Sequence, residues 1–291
     1  MAVLVETNFE RSYARDARDC DDRHSLRSDL NLAAAVQRQM LPRNTKQLPT
    51  ARYAGISMAA RGVGGDYYDF LDLGSDSLGL VLADVSGKGV AAALLMANLQ
   101  AFIRCECAHG IRDLSTMLTR VNRHFFESTL PEQYATLFFC QYNDRTRRLI
   151  YTNCGHQPAI VMRAKGAVER LTATALPLGL AAGWTGEAKT IELRPGDALY
   201  VCSDGVVEAG IESGCEFGEE GLISVIAADP DQNIEPAVAR IARAVRAYAP
   251  DGLRDDTTIV GLQVVGSRRE LTQSRGIGPL PAGDDRDRVL R

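Results

Sequence analysis

The sequence of 291 residues predicts an α+β fold in which antiparallel strands and pairs of helices form separate layers. Short apolar segments are joined by turns typical of hairpins, for example at Asn143–Arg147 and Arg194–Asp197. Segments with apolar residues at helical spacing come in pairs between these runs, and they do not alternate with single strands. A parallel sheet built from strand–helix–strand units is therefore disfavoured.

The composition is that of a globular domain, with 45% hydrophobic and 24% charged residues. The 33 Lys and Arg residues against 37 Asp and Glu residues give a net charge of −4, which does not favour nucleic-acid binding. The uncharged stretch at 89–103 is 15 residues long, whereas a bilayer needs about 20 apolar residues. The N-terminus has no signal-peptide pattern. We therefore expect a cytoplasmic protein with no membrane or nucleic-acid partner.

The seven cysteines form no Cys-x-x-Cys pair, and several of them lie inside apolar segments. A structural zinc site needs four ligands at regular spacing, so this pattern predicts reduced, mostly buried thiols.

The chain divides into four predicted regions. Residues 1–29 hold five Arg and seven acidic residues with few large apolar ones, which predicts a disordered segment. Residues 30–46 contain a linker or dimerisation-type helix that Pro42 ends. Residues 47–266 form the main domain, and 267–291 form a disordered tail rich in Arg, Asp, Gly and Pro.

Within the main domain, hydrophobic periodicity predicts both strands and helices. Strands are predicted at 53–59, 67–73, 78–83, 134–142, 149–152, 159–163, 168–171, 198–203 and 258–265. Helices are predicted over 89–108, from the N-cap Asp113 onward, and over 234–248. The helix over 89–108 is apolar almost all round, which predicts that it is buried.

Aspartates stand at the ends of the predicted strands. Asp84 and Asp204 directly follow apolar strands, Asp255 and Asp256 directly precede the last strand, and Asp66 follows a glycine pair. A carboxylate at such a position is partly desolvated and needs a cation or hydrogen bonds to compensate it. Each aspartate alone could simply cap a turn. Together they suggest one oxygen-ligand cluster suited to Mg²⁺ or Mn²⁺.

The motifs around these aspartates resemble those of the PPM family of metal-dependent Ser/Thr protein phosphatases, in its SpoIIE/RsbU-like bacterial branch. The resemblance covers about residues 30–265. It is carried by Gly64-Gly-Asp66-Tyr-Tyr-Asp69, Ala83-Asp84-Val-Ser-Gly-Lys-Gly89, Ser203-Asp204-Gly205 and Asp255-Asp256-Thr-Thr258, by the helix motif ending at Pro42, and by Asn153-Cys-Gly-His156, where Cys154 replaces the usual Ala.

The resemblance implies an α-β-β-α sandwich with two antiparallel sheets flanked by helix pairs. It also implies two Mn²⁺ or Mg²⁺ ions, with Asp84 bridging them and the Val85 carbonyl as a further ligand. Asp66 would serve the second ion directly or through water, and Asp204 and Asp255 would hold the first.

Asp256 is the alternative ligand to Asp255, and Asp69 is expected to be structural. Asp66 and Asp84 would be the catalytic residues, since the ions would activate a water that attacks phosphoserine or phosphothreonine without a covalent intermediate. Arg61, Lys88 and His156 are candidates for contacting the phosphate. Each has a plainer alternative, as a solvated cation or as a histidine bonded to backbone.

The expected activity is thus that of a protein serine/threonine phosphatase. Relatives of this kind often act on STAS-type anti-sigma-factor antagonists, and homodimerisation through the helix at 30–41 is a further hypothesis. Two alternatives stay open: a non-catalytic regulator-binding module of the same fold, and a phosphatase for small phosphoesters. The sequence lacks the Cys-x5-Arg, Gly-x-Ser-x-Gly and P-loop motifs of other chemistries.

Overall fold

Two five-stranded antiparallel sheets face each other in the computed structural model, which describes residues 25–42, 46–74, 76–108, 110–229 and 233–266. The strands are β1 (Ala51–Met58), β2 (Asp66–Asp72), β3 (Ser77–Val85), β4 (Ala135–Asn143), β5 (Arg148–Cys154), β6 (Ala159–Met162), β7 (Val168–Leu171), β8 (Lys189–Glu192), β9 (Ala198–Cys202) and β10 (Thr257–Val264). The helices are α1 (25–40), α2 (Val90–Ala108), α3 (Leu114–Glu127), α4 (Asp204–Val207), α5 (Gly218–Ala227) and α6 (Ile234–Tyr248).

The first sheet has the order β1-β10-β9-β6-β7 and the second has the order β2-β3-β4-β5-β8. Side chains alternate along each strand, so β3 turns Leu80 and Leu82 toward the first sheet and Val81 and Ala83 toward the helices. Both faces of the central strands are therefore buried. Helices α2 and α3 cover the second sheet, and α5 and α6 cover the first. This arrangement confirms the predicted α-β-β-α sandwich.

Helix α3 forms where the sequence predicts it. Asp113 is its N-cap, and its carboxylate accepts a hydrogen bond of 2.6 Å from the Thr116 amide. Met117, Val121 and Phe125 then lie on one face and are fully buried against the second sheet. The helix is thus held by both its cap and its apolar stripe.

Helix α2 corrects one prediction, since it is buried on one face only. Met96, Leu99 and Ile103 pack on the second sheet, whereas Leu94 is 67% exposed. A helix lying on a sheet presents only part of its circumference to the layer beneath, whatever the composition of its outer face. By length and composition alone α2 could cross a membrane, but here it serves as a core helix of the domain.

Helix α1 is described over residues 25–40, so it already includes residues ahead of the predicted start at 30. Residues 25–29, assigned above to a disordered segment, are exposed and helical, since extending an anchored helix adds one hydrogen bond per residue. The anchor lies near the end of α1, where the Met40 carbonyl accepts a hydrogen bond from Gln100 on α2. Residues 1–24 and 267–291, predicted to be disordered, lie outside the described residues.

Three elements have no counterpart in the predicted pattern: β8, α4 and α5. β8 is an edge strand with mostly exposed side chains, so it shows little alternation of polar and apolar residues. α5 begins at Gly218 and contains Gly221, and glycine is unfavourable in helices. The helix forms nevertheless, because its side chains Leu222 and Ile226 are buried in the same cluster as α6. Packing in the folded chain outweighs these local preferences.

The six cysteines that the structure describes are free thiols, in keeping with the predicted absence of disulfides. Cys107, Cys140, Cys154 and Cys202 are buried, and Cys105 and Cys215 are exposed.

The contrast between Leu80 and Leu94 leads to a stability prediction. Leu80 is fully buried between the sheets, so Leu80→Ala removes packed apolar volume and should lower the free energy of unfolding by about 2–5 kcal/mol. Leu94→Ala, on the exposed face of α2, should change it by less than about 0.5 kcal/mol. Urea unfolding followed by circular dichroism measures both. A large loss for Leu94→Ala would mean that the outer face of α2 is covered in solution.

Candidate metal centre

The predicted aspartates converge at one end of the sandwich, between the two sheets. Asp66 and Asp84 are directly opposite each other in the β2–β3 register. Asp84 follows Leu80 and Leu82 on the side of β3 that faces the first sheet, because side chains on one face recur every second residue. The inner face of the second sheet therefore changes from hydrocarbon to carboxylate at this end.

The first sheet brings the other carboxylates to the same end. β9 leads through Ser203 into Asp204, the first residue of α4, and Asp255 and Asp256 immediately precede β10. β9 and β10 are neighbours, and their ends are joined by two hydrogen bonds between Ser203 and Thr258. Adjacent strand ends thus place Asp204 beside Asp255.

The electrostatics of the cluster reflect this crowding. Burial raises the pKa of Asp84 to about 7, aided by the negative charges of Asp204 and Asp255. Burial likewise raises the pKa of Asp204, with Asp255 as the largest charged contributor. A negative charge that raises the pKa of a neighbouring carboxyl group lies close to it, and a divalent cation among these aspartates would relieve the repulsion.

Asp66 is the most deeply placed member of the cluster, with 6% of its surface exposed. Burial and the charge of Asp84 raise its pKa well above the usual range, while the hydroxyls of Thr258 and Ser203 partly offset the shift. Its Oδ2 atom is buried without a hydrogen-bond partner. A buried carboxylate oxygen without a partner is costly, and a cation or an ordered water at that point would satisfy it.

Asp255 and Asp256 have different surroundings, which bears on the choice between them as ligands. Asp256 is occupied by backbone: its Oδ1 accepts from the Ala60 amide at 2.9 Å and its Oδ2 from the Gly65 amide at 2.8 Å. It therefore ties the loop before β2 to the start of β10. Asp255 instead presents its Oδ2 to the Lys88 ammonium at 2.6 Å, on the open side of the site. These contacts favour Asp255 as the ligand and Asp256 as its support.

The close fit of this loop explains its glycine pair. A Cβ atom on Gly64 would lie 1.8 Å from the Asp256 carboxylate, and one on Gly65 would lie 2.7 Å from the Val85 carbonyl oxygen. Larger residues at either position would displace the loop or one of these oxygens. The glycines thus let the backbone approach the acidic cluster closely enough for Asp66 to face Asp84.

The donor set fits a hard divalent cation. Carboxylates and a backbone carbonyl are the oxygen ligands that Mg²⁺ and Mn²⁺ prefer. Within the described ranges, no three His, Cys, Asp or Glu side chains form a group that could hold an ion by themselves. Mg²⁺ commonly binds through one or two carboxylates and keeps several waters, so each ion here would complete its coordination shell with water.

The three candidate phosphate contacts have different surroundings. Lys88 lies at the open side of the site, where its hydrogen bond to Asp255 raises its pKa. Arg61 is exposed, and its charge partly offsets this rise in the pKa of Lys88, so the two cations are near each other.

His156 is 5% exposed, and burial lowers its pKa to about 4, which keeps the ring neutral at pH 7. Its Nδ1 atom forms a 2.8 Å hydrogen bond with the Thr136 hydroxyl, and its amide donates to Asn153. This placement favours the structural alternative for His156 over a phosphate contact.

Several supporting residues were not singled out from the sequence. Ser203 and Thr258 stand beside the predicted aspartates, and their hydroxyl groups could have been noted as donors. Gln37 could not, because it reaches the site from α1: its side-chain amide donates to the Gly64 carbonyl at 2.7 Å and accepts from the Gly64 amide at 3.1 Å. These two hydrogen bonds link α1 to the loop that carries Asp66. Asp69 is structural, as expected, since its buried carboxylate accepts from Tyr67 and Arg104.

The raised pKa of Asp84 predicts a pH dependence for the metal-free protein. The pKa is about 7 in the folded state and about 3.9 in the unfolded state, so the folded state binds the extra proton between these values. The free energy of unfolding of the metal-free protein should therefore fall as pH rises from about 4 to 7. Above that range the Asp84 carboxyl is ionised in both states and should cause no further fall.

Asp84→Asn should reduce this slope in urea titrations with a chelator present, while Asp76→Asn, at a partly exposed site paired with Arg145, should keep it. An unchanged slope in Asp84→Asn would contradict the assignment.

Comparison with known proteins identifies the family. Residues 74–265 match the family described as Stage II sporulation protein E (SpoIIE). The chain is 30% identical over 190 residues to the phosphoserine phosphatase RsbU of Bacillus subtilis, covering 65% of this chain and 56% of that protein. The chain thus spans about half the length of this relative.

Two solved structures show the same fold. The SiaA-PP2C domain of Pseudomonas aeruginosa superposes with a TM-score of 0.70 at 20% identity, covering 83% of this chain and 98% of that one. The catalytic domain of the serine/threonine protein phosphatase PstP, in complex with two manganese ions, has a TM-score of 0.55 at 18% identity, covering 75% and 99%. With its fold and the match over most of the folded domain, the chain belongs to the SpoIIE family of PP2C-type, or PPM, proteins.

Proposed function

We propose that this protein is a Mn²⁺- or Mg²⁺-dependent phosphatase that hydrolyses phosphoserine or phosphothreonine in a protein substrate. The observation that carries the proposal is the convergence of Asp66, Asp84, Asp204 and Asp255 on one cluster, in which burial and neighbouring negative charges raise the pKa values of Asp66, Asp84 and Asp204. Similarity to a phosphoserine phosphatase and to a domain that binds two manganese ions supports it.

Each residue of the cluster would have a role set by its position. Asp84, Asp204 and Asp255 would hold two ions with the Val85 carbonyl, and Asp66 would hold the second ion directly or through water. When bound, the two ions supply an activated water as nucleophile and neutralise charge on the phosphate. No nucleophilic side chain is required, because phosphoryl transfer depends mainly on positioning and charge stabilisation.

The remaining residues would position this machinery and the substrate. Asp256 keeps the Gly64-Gly65 loop in place through two backbone amides, which fixes where Asp66 begins β2. Lys88 pairs with Asp255 and could exchange that contact for a phosphate oxygen, since half of its side chain is exposed. Arg61, close to Lys88, would add a second positive charge on the same side.

The substrate class comes from the family resemblance: a phosphorylated STAS-type anti-sigma-factor antagonist in a partner-switching pathway of the cytoplasm. Similarity to the RsbU protein supports this choice. The two alternatives, a binding module without activity and a phosphatase for small phosphoesters, are separated from it by activity measurements.

The decisive test is hydrolysis with added Mn²⁺. Wild-type protein should release phosphate from p-nitrophenyl phosphate and from phosphoserine proteins, and Asp84→Asn should reduce kcat by about 100-fold or more because a charged metal ligand is lost. Asp76→Asn, at a partly exposed aspartate paired with Arg145, should retain full activity. Equal rates for wild type and Asp84→Asn would end the enzymatic proposal, and activity on metabolites alone would favour the small-phosphoester alternative.

We also propose that α1 mediates homodimerisation. Leu32 is 66% exposed and Val36 is 50% exposed, on a helix whose residues 25–33 are almost entirely outside the packed domain. An apolar helix face that projects into water is stabilised by a second copy of itself. Since α1 also holds Gly64 through Gln37, association of two α1 helices would bear on the loop of Asp66.

Light scattering after size exclusion tests the dimer. Wild-type protein should have the mass of two chains at micromolar concentration, and Leu32→Glu should shift it to one chain, because a charge opposes apolar packing. Leu94→Glu, at an equally exposed position of α2, is the control and should leave the dimer intact. A wild-type monomer would refute the proposal.

A further inference from the structure

We infer that a groove beside the metal centre binds the substrate segment next to the phosphorylated residue, and that its acidic rim favours a basic side chain in that segment. This inference rests on the proposed phosphatase function and adds a preference among protein substrates.

The groove is a cavity of about 250 Å³ that begins at the metal centre. Asp255, Lys88 and Gly205, which is next to Asp204, are among its lining residues. From there it runs between the segment that follows α4 and the segment that joins α6 to β10. A chain whose phosphorylated residue lies at the aspartate cluster would therefore have its neighbouring residues in this groove.

The walls of the groove are apolar and firmly held. Ile211 is 54% exposed and Tyr248 is 39% exposed, and both line the cavity. The Tyr248 ring packs edge-on against Phe217 with centroids 5.2 Å apart, so it does not depend on a ligand for its position. A Cβ atom on Gly210, which has φ of 82°, would lie 2.4 Å from the Cys215 carbonyl oxygen, so the wall needs glycine there. Exposed apolar side chains held in this way offer a surface to a peptide.

The charges of the groove are mostly negative. Glu208, Glu212 and Asp251 line it, against the cations Lys88 and Arg254. Lys88 is paired with Asp255 of the metal centre. Glu208 also lies near the negative charges of Asp204 and Asp255. A basic side chain of the substrate would find complementary charge here, and an acidic one would be repelled.

The pair between Arg254 and Glu212 can open to admit that side chain. Its Nε–Oε2 distance is 3.1 Å, and both side chains are well exposed, at 72% and 64%. Ion pairs this exposed contribute little to stability, so a substrate Lys or Arg could replace Arg254 as the partner of Glu212. The groove can then take a basic residue without unfolding any element.

Two classes of experiment test the inference, and both use the full chain. In the first, kcat/KM with Mn²⁺ is measured for phosphoserine peptides that are identical except for Lys or Glu at one position, scanned over the three residues on each side of the phosphoserine. Wild-type protein should prefer Lys by about fivefold or more on one side, in line with one or two favourable charge contacts. The variant Glu212→Gln/Asp251→Asn should lose most of that preference while its rate on p-nitrophenyl phosphate stays unchanged.

Glu235→Gln is the matched control, because Glu235 lies at the far end of α6 from Tyr248, about 20 Å away along the helix. It should keep the Lys preference. Ile211→Ser should raise KM for every peptide and leave p-nitrophenyl phosphate hydrolysis unaffected, since Ile211 is exposed and contributes little to folding.

In the second class, fluorescence anisotropy measures binding of labelled peptides to metal-free protein, which needs no turnover. The Lys peptide should bind several-fold more tightly than the Glu peptide, and the double variant should bind both equally. No preference in the wild type, or a preference that survives in the double variant, would overturn the inference. If the wild-type protein does not hydrolyse p-nitrophenyl phosphate, the phosphatase proposal itself is refuted instead.

Discussion

Repulsion among partly buried carboxylates is the constraint that the surrounding structure must satisfy. Asp66 and Asp84 come from one sheet, and Asp204 and Asp255 come from the other. The sandwich forces them together in a partly dehydrated place, where the charged forms are disfavoured. The hydrophobic core between the sheets offsets this cost, because the next residues along the same strand faces, Tyr68, Phe70, Leu80 and Leu82, pack in that core. A divalent cation would turn the repulsion into attraction.

The loop between β1 and β2 connects this cluster to the rest of the structure. Asp256 holds it from one side by two backbone amides, and Gln37 of α1 holds it from the other through Gly64. A carboxylate that bonds two amides cannot be replaced by a neutral side chain without leaving a donor unsatisfied. The position of Asp66 therefore depends on contacts from α1 and from the start of β10, far away in the sequence. A movement of α1 would shift this loop, and with it Asp66, through the hydrogen bonds of Gln37 to Gly64.

The open side of the centre differs from its interior. Toward the core, the aspartates contact hydroxyls and backbone, which fix their orientation. Toward solvent, Lys88 and Asp255 form an exposed pair, and the groove between α4 and the end of α6 continues from it with apolar walls and acidic edges. The aspartates are thus held firmly on the core side of the site. On the solvent side, exposed ion pairs could exchange partners when a protein substrate binds.

The sequence by itself determined the layered α+β class, most strand positions, the cap at Asp113 and the identity of the clustered aspartates, because these depend on local periodicity and on motifs of a few residues. The tertiary structure decided which face of α2 is buried, where the weak elements β8 and α5 form, and how Asp255 and Asp256 differ. These outcomes depend on partners distant in the chain: an edge position in a sheet, a helix packed on another, or a loop amide nearly 200 residues away. Local sequence carries no record of such partners, since the same residues would behave differently beside other neighbours.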